Sequence, residues 1–189
     1  MDRRQEIIEG ATKSFTLFGY KATTMDQVAK IANVGKGTIY TFFANKEILF
    51  QEIVISMIRE MKAEADLVID IKAPLLTNAH HALMKMLQFR EKHLLFAKLL
   101  EEEKELRTPV VKNVLVTVED EIISYIANRI QMGIVKKEIR PCDPQLVAYL
   151  LFKAYIAFVV DWHETHEEAL SEEKILSLFK ETIFKGLAL

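Results

Sequence analysis

The sequence predicts an all-α protein, and three observations lead to this fold class. Half of the 189 residues are hydrophobic, whereas glycine and proline number only 6 and 4, too few turn-forming residues for a β-rich fold. Apolar residues recur at helical spacing along most of the chain. The breaks between these periodic segments carry residues that cap or stop helices.

Nine helices are expected, and several begin or end at a residue with a physical reason to be there. The first covers about 3–18 and closes at Gly19, which can adopt the left-handed conformation. Thr24 begins the second helix through a capping box with Gln27. Asn45 caps the fourth helix. The third to ninth helices are expected over about 36–43, 46–70, 74–90, 92–104, 109–133, 143–166 and 171–187.

Charge and cysteine content limit the partners and the compartment. The first 50 residues carry seven Lys/Arg and five Asp/Glu, whereas the rest of the chain carries a net charge of -4. A mildly basic N-terminal part suits a protein in which only this part contacts the phosphates of a nucleic acid. Cys142 is the single cysteine, so a reducing cytoplasm is expected. The apolar stretch 146–160 contains Lys153 and is too short for a membrane span, so no membrane association is expected.

A helix-turn-helix motif is predicted from the spacing of three residues. Ala29 is small enough for a second helix to cross the first. Asn33, four residues later, tolerates a positive φ in the turn. Ile39, six residues further on, anchors the second helix, while Val34 fills the turn. This spacing allows the second helix to enter a major groove of DNA.

The exposed residues of this motif are suited to DNA contacts. Lysine charges can bind phosphate, hydroxyl groups can reach phosphates or base edges, and a glycine allows close approach of the backbone. A threonine at a helix N-terminus also favours phosphate. The candidate DNA-binding residues are Thr24, Lys36, Gly37, Thr38, Tyr40, Thr41, Phe42 and Lys46.

Residues 19–50, GYKATTMDQVAKIANVGKGTIYTFFANKEILF, closely resemble the DNA-binding signature of the TetR family of transcriptional regulators. The match includes an aromatic residue after glycine, a threonine pair, Lys-Gly-Thr-aliphatic-Tyr at 36–40, and Lys-Glu-x-Leu at 46–49. Two positions depart from the family pattern. Asn33 replaces the turn glycine, and Gly35 replaces the serine that often caps the recognition helix.

This resemblance implies roles for the matched residues. Ile39, Val34 and Phe43 are expected in the core. Thr24, Tyr40 and Lys46 are expected on phosphates. Base edges are expected to face Lys36, Gly37, Thr38 and Thr41, and Phe42 is expected to stack on a thymine methyl or a sugar. The resemblance also implies a three-helix DNA-binding domain at 1–47 and a six-helix ligand-binding and dimerisation domain at 48–189.

The last two helices are expected to form a homodimer. The helix at 143–166 is apolar on almost every side, so other helices must pack against it on more than one side. TetR relatives dimerise through their last two helices, which form a four-helix bundle. In this chain few other helices remain that could cover the apolar surfaces of the last two. A dimer presents two recognition helices about one turn of DNA (~34 Å) apart, which suits a palindromic operator.

The predicted function is a ligand-responsive regulator, most simply a repressor, that a small hydrophobic effector releases from double-stranded operator DNA. Methionine and aromatic residues of the middle helices form apolar, adaptable pockets. The effector could be an acyl-CoA or a drug-like molecule. An alternative is an apolar-ligand carrier with a vestigial DNA-binding head. The candidate ligand-binding residues are Met86, Phe89, His93, Phe96, Tyr125, Tyr155, Phe158 and Trp162.

No enzymatic activity, cofactor or metal site is expected. The sequence contains no phosphate-binding glycine loop, nucleophile elbow or catalytic carboxylate pair. His163 and His166 lie three residues apart, without an evident third ligand. His80 and His81 are expected to be a solvated pair, and the acidic run 101–103 is expected to be a solvated face.

Overall fold

The computed structural model describes residues 2–70, 72–168 and 170–188, and its regular secondary structure is helical throughout these ranges. Nine helices follow one another, as predicted. They are α1 Arg3–Ala22, α2 Met25–Ile31, α3 Lys36–Phe42, α4 Lys46–Leu67, α5 Leu75–Lys92, α6 Leu94–Leu106, α7 Pro109–Val135, α8 Pro144–Ile156 continued by Ala157–Asp161 and Trp162–Thr165, and α9 Glu172–Phe179 continued by Lys180–Phe184 and Lys185–Leu187.

Short polar side chains cap several of these helices at the positions that the sequence indicates. The Thr24 hydroxyl accepts from the Gln27 amide at 3.2 Å, and the Gln27 side chain accepts from the Thr24 amide at 2.7 Å. Asn45 accepts from the amide of Ile48 at 2.9 Å. Each bond satisfies an amide that has no partner within the helix, so these caps fix the starts of α2 and α4.

The last two helices each contain a π-helical turn, at Ala157–Asp161 and at Lys180–Phe184. The predicted spans 143–166 and 171–187 therefore continue without a break, but their hydrogen-bond pattern widens in the middle. A π turn has no simple signature in amino-acid spacing, and the sequence did not predict either one.

The chain divides into two compact units, and the first consists of Met1–Glu60 and Phe89–Val118. Its core contains an aromatic cluster in which the Phe50 ring lies 5.0 Å from that of Phe15 and 4.7 Å from that of Tyr20. Close packing also requires Gly10, because a Cβ there would lie 2.6 Å from the Cβ of Ala32. This packing fixes α2 against α1.

The second unit consists of Met61–Gln88 and Glu119–Leu189. The Tyr155 and Phe179 rings pack with their centres 4.3 Å apart, and this contact joins α8 to α9. An isolated antiparallel bridge pairs Ile139 with Ala188, and the Arg140 amide donates to the Leu187 carbonyl at 3.0 Å. The end of α9 is thereby attached to the segment that follows α7.

Candidate nucleic-acid interface

The turn between α2 and α3 has the geometry that the sequence predicts. Asn33 adopts a φ of 53°, in the left-handed region that asparagine tolerates better than most residues. The Val34 amide donates to the Ala29 carbonyl at 3.0 Å, and Val34 is half-buried. The turn is therefore tight and internally bonded, as a helix-turn-helix requires.

One side of α3 is anchored in the core, and the other side is open to solvent. Ile39 is fully buried, and Phe43, just after the helix, is 1% exposed. Tyr40 and Phe42 are 46% and 43% exposed. Large aromatic side chains at this level of exposure are available to a partner, so α3 presents a surface that can bind one.

Several polar candidates already make short-range contacts on this surface. Lys36 Nζ lies 2.8 Å from Asp26 Oδ1, and this hydrogen bond and charge raise the pKa of Lys36. The Thr41 hydroxyl donates to the Thr38 carbonyl at 2.7 Å. Thr24 is exposed while its side chain caps α2. An exposed ion pair contributes little to stability, so Lys36 can exchange Asp26 for a phosphate at small cost.

Lys46 has a structural contact that the sequence did not indicate. Its Nζ donates to the carbonyls of Tyr20 and Thr23 at 2.8 Å and 2.9 Å, at the end of α1, and lies 4.3 Å from the centre of the Tyr20 ring. Burial lowers the pKa of Lys46, whereas the nearby charge of Glu102 opposes that change. An ammonium group has three donors, so one donor remains for the predicted phosphate contact.

The expectation that the acidic run 101–103 is a solvated face is wrong for Glu102, although Glu101 is exposed. Glu102 is 4% exposed, and its carboxylate accepts from the amides of Tyr20 and Lys21 at 2.6 Å and 3.0 Å. These amides are free because Gly19 interrupts α1 with a φ of 79°. The carboxylate thereby attaches α6 to the end of α1. Only the helix break at Gly19 could have suggested that an acceptor was needed there.

Three of the predicted ligand-binding residues belong to the first unit, and all three pack closely. Phe89 and Phe96 are each 6% exposed. The His93 ring stacks on Phe89 with centres 4.9 Å apart, and its buried Nδ1 has no hydrogen-bond partner within the described residues. His93 is the polar group of this set that a ligand could satisfy.

The other five candidates belong to the second unit, where three of them are packed by hydrophobic neighbours. Met86 is fully buried and Tyr155 is 1% exposed. Phe158 contacts the edge of Phe179, with ring centres 6.1 Å apart. Tyr155 and Phe158 pack against Phe179 and Met86 is fully buried, so a ligand here would need these side chains to move.

Tyr125 and Trp162 have already used their polar groups on neighbouring residues. The Tyr125 hydroxyl donates to Asp66 at 2.5 Å, and Arg129 lies over its ring; burial raises the pKa of Tyr125 to about 12. The Trp162 indole N–H donates to the Glu168 carbonyl at 3.0 Å. Arg129 also covers one face of Tyr125, and the His166 ring stacks on Trp162 with ring centres 3.6 Å apart, so a ligand here would have to displace these neighbours.

Comparison with known proteins identifies the family. Residues 7–53 match the family described as "Bacterial regulatory proteins, tetR family". The chain is 48% identical over 188 residues to "Uncharacterized HTH-type transcriptional regulator YhgD" of Bacillus subtilis (strain 168), covering 100% of this chain and 98% of YhgD. The chain belongs to the TetR family.

Two further relatives extend over nearly the whole of this TetR-family chain. "HTH-type transcriptional repressor AcnR" of Corynebacterium diphtheriae is 26% identical over 191 residues, covering 96% of this chain and 91% of AcnR. The solved structure of "Flavonoid-responsive Regulator FrrA" superposes with a TM-score of 0.77 at 21% identity, covering 98% and 97%. The likeness to FrrA shows the shared fold. The chain is thus a TetR-family transcriptional regulator with an N-terminal helix-turn-helix, and not an enzyme.

Gly37→Ala separates DNA contact from folding in this TetR-family protein. A Cβ at Gly37 meets nothing within 4 Å, so alanine fits and is expected to stabilise α3 by up to about 1 kcal/mol. If the α3 backbone approaches DNA closely, the added methyl is expected to weaken operator binding about tenfold. Urea denaturation and fluorescence anisotropy with labelled duplex measure the two effects.

Gly186→Ala is the control for an added methyl, because it is also helical and also has open space around the new Cβ. Since α9 belongs to the proposed dimer face, sedimentation velocity first establishes that this variant assembles as the wild type does. It is expected to leave DNA affinity at the wild-type value. Equal affinities for Gly37→Ala and wild type would show that the backbone of α3 does not approach DNA.

Proposed function

We propose that this regulator is a ligand-responsive repressor that binds palindromic operator DNA as a homodimer through α3. The observation that carries the proposal is the exposed face of α3, where Tyr40 and Phe42 project from a helix that Ile39 anchors. Within this proposal, residues 1–47 form the DNA-binding domain and 48–189 the ligand-binding and dimerisation domain. The cytoplasm is the proposed compartment.

A second copy of the chain is proposed to cover the exposed apolar face of α8 and α9. Leu146, Tyr149 and Leu150 are 69%, 51% and 53% exposed on α8, and Leu178 is 42% exposed on α9. The expectation that this apolar stretch is too short for a membrane span is wrong, because Pro144–Asp161 is long and apolar enough to cross a membrane by length and composition alone, and only 22% of it is buried. Because it contains Lys153 and Asp161, an apolar partner helix is a better cover than lipid.

The proposed effector is a small apolar molecule. The name of the structural relative FrrA describes that protein as flavonoid-responsive. An acyl-CoA remains an equal candidate here. A ligand releases the repressor only if it binds the DNA-free state more tightly than the DNA-bound state. Titrating the protein–DNA complex with palmitoyl-CoA and with a flavonoid tests both classes, and an unchanged operator affinity with each would reject both.

The DNA proposal is tested by the salt dependence of binding. Although the family resemblance implies a base edge for Lys36, its exposed ammonium group is proposed here to contact a phosphate. Each lysine–phosphate contact releases counterions, so Lys36→Gln is expected to reduce the slope of log affinity against log salt by about 1. Tyr40→Phe removes only a hydroxyl group and is expected to weaken binding about fivefold to tenfold. Anisotropy titrations at salt concentrations from about 50 to 300 mM measure the salt slope and the affinity.

Lys112→Gln is the matched control for charge, because Lys112 is exposed on α7 and lies outside the helix-turn-helix. Its salt slope is expected to equal that of the wild type. A slope that changes equally in Lys36→Gln and Lys112→Gln would indicate a general charge effect and contradict the assigned contact.

A further inference from the structure

A buried histidine in the second unit has an unpaired nitrogen that points towards a carboxylate. His80, on α5, is 1% exposed, so the expectation of a solvated His80–His81 pair is wrong for this residue. Its Nδ1 is hydrogen-bonded to the Tyr155 hydroxyl. Its Nε2 is buried without a hydrogen-bond partner among the described residues, and it lies 3.5 Å from Glu172 Oε1 on α9.

The hydrogen bonding of the His80 ring makes this arrangement unusual, because one ring nitrogen is bonded to Tyr155 and the other has no hydrogen-bond partner among the described residues. If Nδ1–H donates to the tyrosine oxygen, Nε2 presents a lone pair to a carboxylate. Two acceptors then face each other at this point.

A third donor completes the group. His81 lies next to His80 with ring centres 5.4 Å apart, although adjacent helix residues usually point in different directions. One ligand atom from each of His80, His81 and Glu172 can be chosen so that all three lie within 4.8 Å of one another. His81 is half-buried and Glu172 is 44% exposed, so both side chains can adjust towards a shared point.

We infer that His80, His81 and Glu172 form a binding site for a divalent transition-metal ion of the Zn²⁺ type. Two imidazoles and one carboxylate are a ligand set that zinc uses, with a fourth position left for water or another ligand. Bonds of about 2.0–2.1 Å place tetrahedral ligand atoms roughly 3.4 Å apart, so the exposed members must move inward by about 1 Å.

Tyr155 has the position of a group that orients a metal-binding histidine. Ligating histidines usually donate their second ring N–H to a hydrogen-bond acceptor, which fixes the tautomer. In His80 the Tyr155 oxygen is the hydrogen-bond partner of Nδ1, which leaves Nε2 for the metal. The ion would join α5 to the start of α9 within the second unit. The charge of Lys180 also acts on His80, and the carboxylate of Glu172 would offset that charge at the proposed ion.

Zinc binding by the full-length, tag-free protein tests the inference without DNA, so its failure is distinct from failure of the repressor proposal. Calorimetry and metal analysis after dialysis are expected to give one Zn²⁺ per chain. Binding is expected to shift the side-chain ¹⁵N resonance of His80 Nε2. Saturating zinc is also expected to raise the Tm, because an ion bound only by the folded state stabilises it.

Matched substitutions separate this site from incidental surface binding. Glu172→Gln and His81→Gln are expected to weaken zinc binding by more than about tenfold. The neighbouring Glu173→Gln and the distant His166→Gln make the same chemical changes at exposed positions and are expected to bind as the wild type does. No saturable binding, or equal affinities in Glu172→Gln and Glu173→Gln, would overturn the inference.

Discussion

Leu150→Glu is expected to convert the proposed dimer into a monomer at micromolar concentration. Leu150 is 53% exposed on the apolar face of α8, and full burial of a leucine contributes about 1.5–3 kcal/mol, so covering the exposed half contributes roughly 0.8–1.5 kcal/mol. In a symmetric dimer each substitution occurs twice, so the loss of apolar burial is about 1.5–3 kcal/mol, or roughly 10-fold to 100-fold in the dimer dissociation constant. A buried glutamate adds a desolvation cost. Sedimentation velocity measures the result.

The same substitution is expected to move operator binding to a correspondingly higher protein concentration, because a monomer presents one recognition helix instead of two. Leu67→Glu is the matched control. Leu67 is 83% exposed at the end of α4, away from α8 and α9 in sequence, and its substitution is expected to change neither assembly nor affinity. A Leu150→Glu protein that sediments as a dimer with wild-type affinity would contradict the proposed interface.

Glu102→Ala is expected to lower the free energy of unfolding by about 3 kcal/mol. The substitution leaves the amides of Tyr20 and Lys21 without their acceptor, and each orphaned buried N–H costs about 1–3 kcal/mol. Because α1 packs against both α2 and α6, the helix-turn-helix is expected to lose DNA affinity together with stability. Urea denaturation and anisotropy measure the two losses.

Two neighbouring variants sharpen this measurement. Glu102→Gln retains one acceptor oxygen and is expected to lose less stability than alanine. Glu101→Ala removes only an exposed ion pair with Lys98, so its cost is expected to be below about 1 kcal/mol. Equal unfolding free energies for Glu101→Ala and Glu102→Ala would show that the buried carboxylate does not support α1.

Features controlled by nearby residues could be predicted from the sequence. The positive φ at Asn33 and the capping box of Thr24 and Gln27 involve neighbours within four positions, and the structure confirms them. The buried anchor Ile39 follows from helical spacing and is also confirmed. These signals are local, so they fix the helix bounds and the geometry of the DNA-binding motif.

Features that depend on distant partners could not be predicted in this way. Glu102 accepts from amides 81 and 82 residues earlier, and His80 contacts Tyr155 75 residues later. From the spacing of residues in the sequence, Glu102 and His80 are both expected on the polar surface, because that spacing does not show which helix will pack over them. Lys46 is similar, since its bonds to carbonyls 23 and 26 residues earlier arise only when α1 and α4 pack together.

Selection of binding sites from a random duplex library, with the full-length protein, tests most directly whether α3 reads DNA as one half of a symmetric pair. The expected product is an inverted repeat whose half-sites are centred about one helical turn, or a multiple of it, apart. Tyr40→Phe and Gly37→Ala are expected to bind that repeat more weakly than the wild type. Failure to enrich any sequence, or enrichment of a single asymmetric site that Leu150→Glu binds as tightly as the wild type, would contradict the account.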